Sequence, residues 1–241
     1  MVGQTGTIES IKRAHKKSYP HQLFSLTDLQ QEAYRRFHIG PKETLNTLQA
    51  LYERHKVVTY PRTDSNYLTD DMVDTLKDRL RAIMGTSLKD VAKQQMTQTF
   101  SPKQRFINNN KVSDHHAIIP TEVRPDLDAL SPRESKLYML IAERFLENLM
   151  PAHEYEALSM EVRVKDAVFL FKDKVTTKLG YKAIANDNTK SVELIDGLKQ
   201  GGSIKVDQVS IEEHETTPPA YFNEGTLLKA MESPQKFFNL N

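Results

Sequence analysis

The chain has 241 residues, of which 38% are hydrophobic and 27% are charged, a composition typical of folded globular proteins rather than disordered chains. It contains no cysteine, which excludes disulfide frameworks and thiolate zinc sites and is compatible with a reducing compartment. The formal net charge is only +1, so any nucleic-acid binding has to rest on locally clustered charges. The sequence has neither a signal-peptide core nor the ~20 consecutive apolar residues that span a bilayer, so we expect a cytoplasmic protein without membrane contacts.

The first feature along the chain is the basic run Lys12–Lys17, which is followed by Tyr19 and Pro20. This pattern is typical of an exposed strand end or loop. Basic side chains in such a run can meet phosphates, but a solvated surface is the more frequent explanation for a charge run on its own. The run by itself therefore assigns no function.

Two helices are predicted before residue 57. Ser25 is a suitable N-cap for the first and Gly40–Pro41 opens the second, because serine accepts free backbone N–H groups and proline fits the first helical turn. Apolar residues at helical spacing define the buried side of each helix: Leu26, Leu29, Ala33 and Phe37 in the first, and Leu45, Leu48 and Tyr52 in the second.

The β-branched segment Val57–Tyr60 ends at a proline and predicts a short strand with Tyr60 at its exit into a loop. Beyond it, Thr69 and the two aspartates that follow mark a helix start, and Ser87 with Asp90 marks another. Residues 99–125 are polar and predict a long loop, a frequent location of functional side chains.

The second half of the chain changes from helical to strand periodicity. The segment Ser131–Glu134 is a capping-box signature with proline in the first turn, and it predicts a helix that reaches Leu149. The strict alternation of Leu158–Val164 then predicts a half-buried strand. Further strands are predicted at Val168–Phe171, Val175–Leu179 and Ile204–Ile211, the last with a bulge between Val206 and Val209. Pro218–Pro219 leads into a final helix.

Tyr60 and Arg62 carry the chemistry with the strongest local rationale. A tyrosine can attack a phosphodiester to form a phosphotyrosine ester, which conserves the energy of the broken bond for rejoining. The guanidinium two residues later can form paired hydrogen bonds with phosphate oxygens and stabilise phosphoryl transfer. On local chemistry alone, packing is the more frequent role of a tyrosine near a strand end, and Tyr67 is nearly as suitable a nucleophile.

The adjacent pair His115–His116 leaves a similar choice open. Adjacent histidines are usually surface or cap residues, and within a strand their side chains point to opposite sides. Either ring can bind a phosphate or transfer a proton. The pair is therefore a candidate site with an ordinary structural alternative.

Three segments together resemble one family. Val57–Ser65 closely resembles the active-site segment of type IA DNA topoisomerases, and Asp114–Thr121 resembles their second active-site segment in the topoisomerase III branch. A third similar segment runs from Pro218 to Met231. Three segments in the right order are far more specific than any one of them. The resemblance implies a central fragment of such an enzyme.

The resemblance also implies a role for each matching residue. Tyr60 is expected to become attached to a 5′ DNA phosphate, Arg62 to be the cation beside the scissile phosphate, and His115 to be the active-site histidine. The other matching residues are expected to bind DNA or to orient Arg62 and the strand: Thr63, Asp64, Ser65 and His116. For Asp64, a turn or helix-start role is an open alternative.

The implied fold is α+β, with a mainly helical tyrosine-bearing domain inserted into a β-rich arch domain. We expect residues 1–44, with leading helices, and residues 152–241, ending in a helix, to form the two parts of the arch, and residues 45–151 to form the helical domain. The implied partner is single-stranded DNA, which is cut and rejoined for strand passage in the bacterial nucleoid.

The family's Toprim domain has no counterpart in this sequence, which lacks an Asp-x-Asp motif after a buried strand. In the family that domain binds Mg²⁺ and completes the active site. We therefore expect Mg²⁺ in the full-length enzyme, no metal in this fragment, the missing Toprim domain as a partner, and no activity from the chain alone. Tyr221 stands where many relatives have arginine, and we expect the chain to stop short of the region that closes the DNA-entry domain.

Two alternatives remain open. In a non-catalytic single-stranded DNA-binding or structural module, Tyr60 would only pack, and the near-neutral charge favours this slightly because single-strand grooves are usually basic. A tyrosine recombinase also forms a phosphotyrosine, but it needs a His-x-x-Arg segment, and the residues after His115 contain no arginine at that spacing.

Overall fold

The computed structural model describes residues 2–185 and 197–236, and these form two compact units. The first comprises the described parts of Met1–Tyr19 and Pro151–Pro219, and the second those of Pro20–Met150 and Ala220–Asn241. The predicted mixture of helices and strands is confirmed. The compact units differ from the predicted domains in residues 20–44 and in the last helix, which pack within the helical unit. The division into functional domains stays a prediction.

The first unit is built on a four-stranded antiparallel sheet with the strand order β3-β2-β1-β4. Its strands are β1 (Thr5–Ser18), β2 (His153–Val164), β3 (Ala167–Lys178) and β4 (Ser203–Lys205). The paired strands β1 and β2 flank residues 19–152 in the sequence, so this long segment leaves the sheet from one strand and re-enters it through the neighbouring strand. The basic run Lys12–Lys17 lies in the second half of β1.

The alternation that predicted a half-buried strand is confirmed in β2. Its inward residues form the core of the sheet unit together with one residue of β1: Ile8, Met160, Val162 and Val164. The two strands predicted at Val168–Phe171 and Val175–Leu179 are halves of one continuous strand, β3.

The strand predicted at Ile204–Ile211 is wrong beyond its first residues. β4 ends at Lys205, and no bulge forms between Val206 and Val209. The cause is the partner, because β1 begins at Thr5 and only Val206 bonds beyond it, to Gln4 and Gly3. Residues 207–211 form no backbone hydrogen bond with a described residue that would continue the ladder. The register of this sheet shifts instead at Glu9 in β1 and at Thr177 in β3.

The second unit is helical. Its helices are α1 (Leu26–Phe37), α2 (Pro41–Glu53), α3 (Leu76–Ile83), α4 (Lys89–Met96), α5 (Pro132–Leu149) and α6 (Glu224–Glu232). In the described ranges, no helix has the length and apolarity needed to cross a bilayer. Ser25 caps α1 as predicted, since its hydroxyl accepts the N–H of Asp28. The helix start predicted at Thr69 is a 3₁₀ turn, Asp70–Thr75, and α3 follows it.

Two local predictions in this unit are wrong. Val57–Tyr60 is extended, but only Val58 forms a bridge, and its partner is Pro120. The ladder does not continue, because the Ile119 N–H donates to the Thr59 hydroxyl and the Val57 N–H donates to the Leu51 carbonyl. Ser87 does not cap α4; Leu88 holds that position, and its N–H donates to the hydroxyl of Thr86 instead.

Helix α5 anchors the helical unit and begins with the predicted capping box. Its large buried side chains supply much of the core: Leu137, Tyr138, Leu140, Ile141, Phe145 and Leu146. Buried Glu134 bonds the Ser131 N–H and pairs with Arg54 at the end of α2. Burial raises the pKa of Glu134, but the bonds from Ser131 and the charge of Arg54 outweigh it and lower that pKa overall. The same carboxylate therefore starts α5 and fixes the end of α2.

The Ser131→Ala variant should lower the free energy of unfolding by about 1 kcal/mol, because the N–H of Glu134 loses its cap. Urea unfolding followed by circular dichroism measures this. Ser87→Ala is the matched control, since Ser87 is exposed and its hydroxyl makes no hydrogen bond to a described residue; it should change stability by less than about 0.5 kcal/mol. Equal losses in the two variants would contradict the role given to the cap.

Candidate active site

Tyr60 lies in an extended segment, residues 57–65, which runs beside residues 111–121. Two backbone hydrogen bonds of 3.0 Å join the segments: Thr59 donates to Ile119, and Thr121 donates to Val57. The Thr59 hydroxyl adds two more contacts, donating to the Ala117 carbonyl and accepting the Ile119 N–H. The pairing brings together residues that are more than fifty positions apart in the sequence.

Two buried hydroxyls continue the pairing past Tyr60. Thr63 Oγ1 donates to the carbonyl of His115 at 2.9 Å, and it also accepts the N–H of Ser65 at 3.1 Å. Ser65 Oγ donates to the carbonyl of Lys111 at 2.8 Å. Thr63 and Ser65 are 7% and 5% exposed, so their hydroxyls brace the site internally. Their contact with DNA stays a prediction.

The ring of Tyr60 contacts two other rings. Its centroid is 4.3 Å from that of His115, with an interplanar angle of 41°. It also meets Tyr52 of α2 edge-on, at 5.5 Å and 81°. The structure thus places Tyr60 and His115, both singled out in the sequence, in direct contact.

Arg62 and Asp64 point outward from the same segment. They alternate with the buried residues Pro61, Thr63 and Ser65, as an extended backbone requires. Among the described residues, neither side chain makes a hydrogen bond or ion pair. The Arg62 guanidinium is therefore free to bind an anion, and Asp64 shows none of the capping bonds that a turn or helix-start role would need.

His116 is half-buried, and its Nδ1 lies 2.8 Å from the Ala117 carbonyl. Burial lowers its pKa; Arg79 and His115 lower it further, against opposing effects of the Ala117 carbonyl and Asp71. The expectation that the two histidines point to opposite sides of a strand is wrong, because they lie outside any strand. His115 contacts the Tyr60 ring, and His116 lines the cleft beside it.

An open cleft of about 590 Å³ lies beside Tyr60. It is lined by Tyr52, Glu53, Lys56, Val58, Thr59, Tyr60, His116 and Thr121. Sequence reasoning missed two of these residues. Tyr52 was assigned to the buried side of α2 but is 37% exposed. Lys56 has a left-handed backbone, with φ of 59°, and its carbonyl accepts the Thr121 hydroxyl at 2.6 Å.

The buried side of α2 explains the error at Tyr52. It consists of Thr44, Thr47, Leu48 and Leu51. A pattern that counts only apolar residues leaves out the two threonines and therefore predicts a different buried side. When threonine is counted as a buried residue, the predicted buried side of α2 no longer includes Tyr52. Nothing in the sequence signals the left-handed conformation of Lys56, which glycine or asparagine adopts more readily.

The rival nucleophile, Tyr67, is already engaged. Lys111 Nζ donates to its hydroxyl at 3.1 Å and lies 4.7 Å from the centroid of its ring. The Tyr60 hydroxyl, in contrast, makes no hydrogen bond to any residue in the described ranges. Of the two phenols, Tyr60 is the one with a free hydroxyl beside an open cleft.

The described residues contain no group of three or more His, Asp or Glu side chains placed to hold a metal ion.

The sequence itself identifies the family. Residues 1–235 match the sequence profile described as DNA topoisomerase, which spans nearly the whole chain. The chain belongs to the DNA topoisomerase family. This match, together with the relatives described next, confirms the predicted resemblance to the type IA enzymes of the topoisomerase III branch.

The relatives of this topoisomerase chain are bacterial. It is 72% identical to DNA topoisomerase 3 of Staphylococcus saprophyticus over 239 residues, which are 99% of this chain and 34% of the relative. It is 60% identical to DNA topoisomerase 3 of Staphylococcus aureus strain USA300 over 235 residues, 98% of this chain and 33% of the relative. The chain thus spans about a third of the length of these curated relatives.

A solved structure shares the fold of this topoisomerase chain. Full-length topoisomerase I from Thermotoga maritima, in a monoclinic crystal form, aligns with a TM-score of 0.68 and 29% identity. The alignment covers 95% of this chain and 37% of the other.

The pH dependence of folding should carry the signature of His116. In the unfolded chain a histidine titrates near pH 6.5, and the lowered pKa in the fold means that the folded state binds fewer protons below that pH. Its contribution is therefore complete above about pH 6.5 and is lost as the pH falls toward the folded pKa.

Urea unfolding at about pH 7.5 and about pH 5.5 measures the difference, which His116→Gln should reduce. His214→Gln is the control, because the His214 side chain is 81% exposed. An unchanged pH dependence in the His116 variant would contradict the assignment.

Proposed function

We propose that this chain carries the DNA-cleaving half of a type IA topoisomerase active site, which cuts and rejoins single-stranded DNA for strand passage. The carrying observation is Tyr60, with a free hydroxyl at an open cleft and its ring against His115. The Tyr60 oxygen attacks a backbone phosphorus and the bond from phosphorus to the 3′ oxygen breaks. The tyrosine proton is released, and the freed 3′ oxygen takes up a proton. A 5′-phosphotyrosine results.

Rejoining is the reverse reaction. The 3′ hydroxyl attacks the phosphotyrosine, restores the phosphodiester and returns Tyr60 to its free form. One phosphate ester replaces another in each direction, so no external energy source is needed. The cut is therefore a reversible opening of the strand.

Arg62 and His115 provide the electrostatic support in this proposal. The unpaired Arg62 guanidinium, two residues from the nucleophile, binds the oxygens of the reacting phosphate through charge-assisted hydrogen bonds. His115 is exposed and touches the Tyr60 ring, a position suited to a second phosphate contact. Asp64 and His116 are proposed to contact the bound strand, and Thr63 and Ser65 to hold its binding segment in place.

We further propose a mainly helical domain inserted into a β-rich arch. Its support is the antiparallel pairing of β1 with β2, which places both ends of residues 20–150 at one sheet. The longer protein is proposed to supply Mg²⁺ through its Toprim domain, as the resemblance implies. We place the reaction at the nucleoid in the bacterial cytoplasm.

The test joins this chain to the remaining part of its 72% identical relative, which is proposed to include the Toprim region. Single-stranded oligonucleotides carry a label at the 3′ end or at the 5′ end. With Mg²⁺, denaturing gels should show the 3′ label attached to protein and the 5′ label released, because Tyr60 holds the 5′ phosphate. Tyr60→Phe should abolish the adduct, while Tyr67→Phe, the matched control, should retain it.

Each failure has a distinct meaning. Attachment of the 5′ label would indicate a 3′-phosphotyrosine and overturn the type IA mechanism. DNA binding without any adduct, with either label, would support the non-catalytic binding module instead. An adduct that survives Tyr60→Phe would place the nucleophile elsewhere.

Arg62→Ala should slow cleavage by on the order of a hundredfold or more, because charge on the reacting phosphate loses its partner. DNA affinity should fall far less, since the other contacts remain. Single-turnover cleavage and equilibrium binding measure the two effects separately. Arg62→Lys should recover part of the rate, and Arg133→Ala, an exposed arginine on α5, should leave it unchanged. Equal losses of rate and affinity would contradict the role of Arg62.

A further inference from the structure

The side chains of the basic run in β1 alternate between the two faces of the sheet. Lys12 pairs with Ser159 of β2, which pairs in turn with Lys172 of β3. Directly paired residues lie on the same face of an antiparallel sheet, as do residues two positions apart on a strand. Four lysines from two separate parts of the sequence therefore share one face, called here the lysine face: Lys12, Lys16, Lys172 and Lys174.

The lysine face has the shape of a trough along β2. Its floor is formed mainly by small residues of the central part of the sheet, Ala14, Ala157 and Ser159, and the lysines rise from β1 on one side and from β3 on the other. The two rows lie two strand spacings apart, about 10 Å. The concave space has a volume of about 610 Å³. At one end Tyr155 lines the trough, with its ring stacked on His153 at 5.3 Å.

The opposite face of the same strands carries acids beside its basic residues. There His15 and Lys17 of the basic run both contact Glu154, at 3.2 and 3.3 Å. Glu156 lies on that face as well, by the pairing register.

On the lysine face, none of the four ammonium groups lies within ion-pair distance of a described carboxylate. Glu161 lies one row beyond Lys12 and accepts a hydrogen bond from Ser10. Asp173 lines the trough too, and it accepts the backbone N–H of Lys174. The trough is thus lined by four lysines and one aspartate, which leaves an excess of positive charge.

This arrangement suits a ligand with a regular row of negative charges. Lysine contributes a mobile point charge that binds phosphate without a fixed geometry. Lys172 and Lys174 are about 6.7 Å apart along the strand, a spacing similar to that of neighbouring phosphates in an extended nucleic-acid backbone. Tyr155 is the one aromatic residue among the described residues that line the trough, and its ring already stacks on His153, so binding would rest mainly on the lysines.

We propose that the lysine face binds the sugar–phosphate backbone of DNA without sequence preference, at a site in a different compact unit from Tyr60. DNA is favoured over an anionic lipid surface because the chain belongs to the DNA topoisomerase family and the small residues Ala157 and Ser159 lie between the two rows of lysines. The site holds DNA by charge and does not take part in cleavage.

The decisive variant changes all four lysines to glutamine in the 241-residue chain. The control changes four exposed lysines of the helical unit, Lys77, Lys89, Lys93 and Lys103, so both variants remove the same total charge. Fluorescence anisotropy with single-stranded and duplex DNA of two unrelated sequences gives the affinity at several salt concentrations. Thermal unfolding checks that each variant is folded.

The lysine-face variant should lose affinity by on the order of tenfold or more, equally for both sequences, and its plot of log K against log salt should be shallower by about 3 to 4. A loss confined to duplex or to single strands identifies the form bound, and either supports the site. Replacement by four arginines should restore binding. Affinity equal to that of the control variant for both DNA forms would overturn the proposal.

Two further measurements separate this site from others. The lysine-face variant joined to the Toprim region should still form the covalent adduct on a short oligonucleotide, so the proposed cleavage function and this site fail independently. Vesicles containing phosphatidylserine test the membrane alternative. Lysine-dependent binding to vesicles but not to DNA would overturn the proposal.

Discussion

The hydroxyl of Thr63 holds the two halves of the candidate site together. It donates to the carbonyl of His115 and accepts the N–H of Ser65, from a position that is 7% exposed. Without it, a carbonyl and an N–H would lose their partners where little water can replace them, at a cost of roughly 1–3 kcal/mol for each group. The distance between Tyr60 and His115 therefore depends on a residue that need not touch DNA.

The extended backbone links these hydrogen bonds to the orientation of Arg62. Because buried and exposed side chains alternate from Pro61 to Ser65, the same hydrogen bonds that fix Thr63 and Ser65 turn Arg62 outward without a competing partner. The start of the segment is fixed independently. The end of α2 is tied to the first turn of α5 through Glu134 and Arg54, and Val57 bonds back to Leu51. Helix α5 thus helps to fix the position of Tyr60, which lies about seventy residues earlier in the sequence.

Local signals in the sequence predicted local structure well. The cap of α5 at Ser131 needs only residues within one helical turn, and the alternation of β2 needs only its own side chains, so both were readable and both are confirmed. The length of β4 depends on where its partner begins, which its own sequence does not record.

The candidate site is harder to predict for the same reason. Resemblance pointed to Tyr60 and His115, but the contact between them results from pairing between distant segments. Tyr52 was misplaced because two threonines, which an apolar pattern leaves out, occupy the buried side of α2. The left-handed turn at Lys56 follows from the tertiary bond to Thr121 and has no local signature.

A net charge of +1 suggests a molecule with a weak electric field. In the sheet unit, however, an excess of positive charge on one face is not visible in the net charge of the whole chain. One face pairs His15 and Lys17 with Glu154, and the other carries four lysines that form no ion pair with a described residue. Such a sheet has an electric dipole across its thickness. A polyanion approaching it experiences a torque as well as an attraction, so the molecule turns its basic side forward before contact. The protein is then oriented before it touches the polyanion, and the ionic strength determines the separation at which this rotation begins.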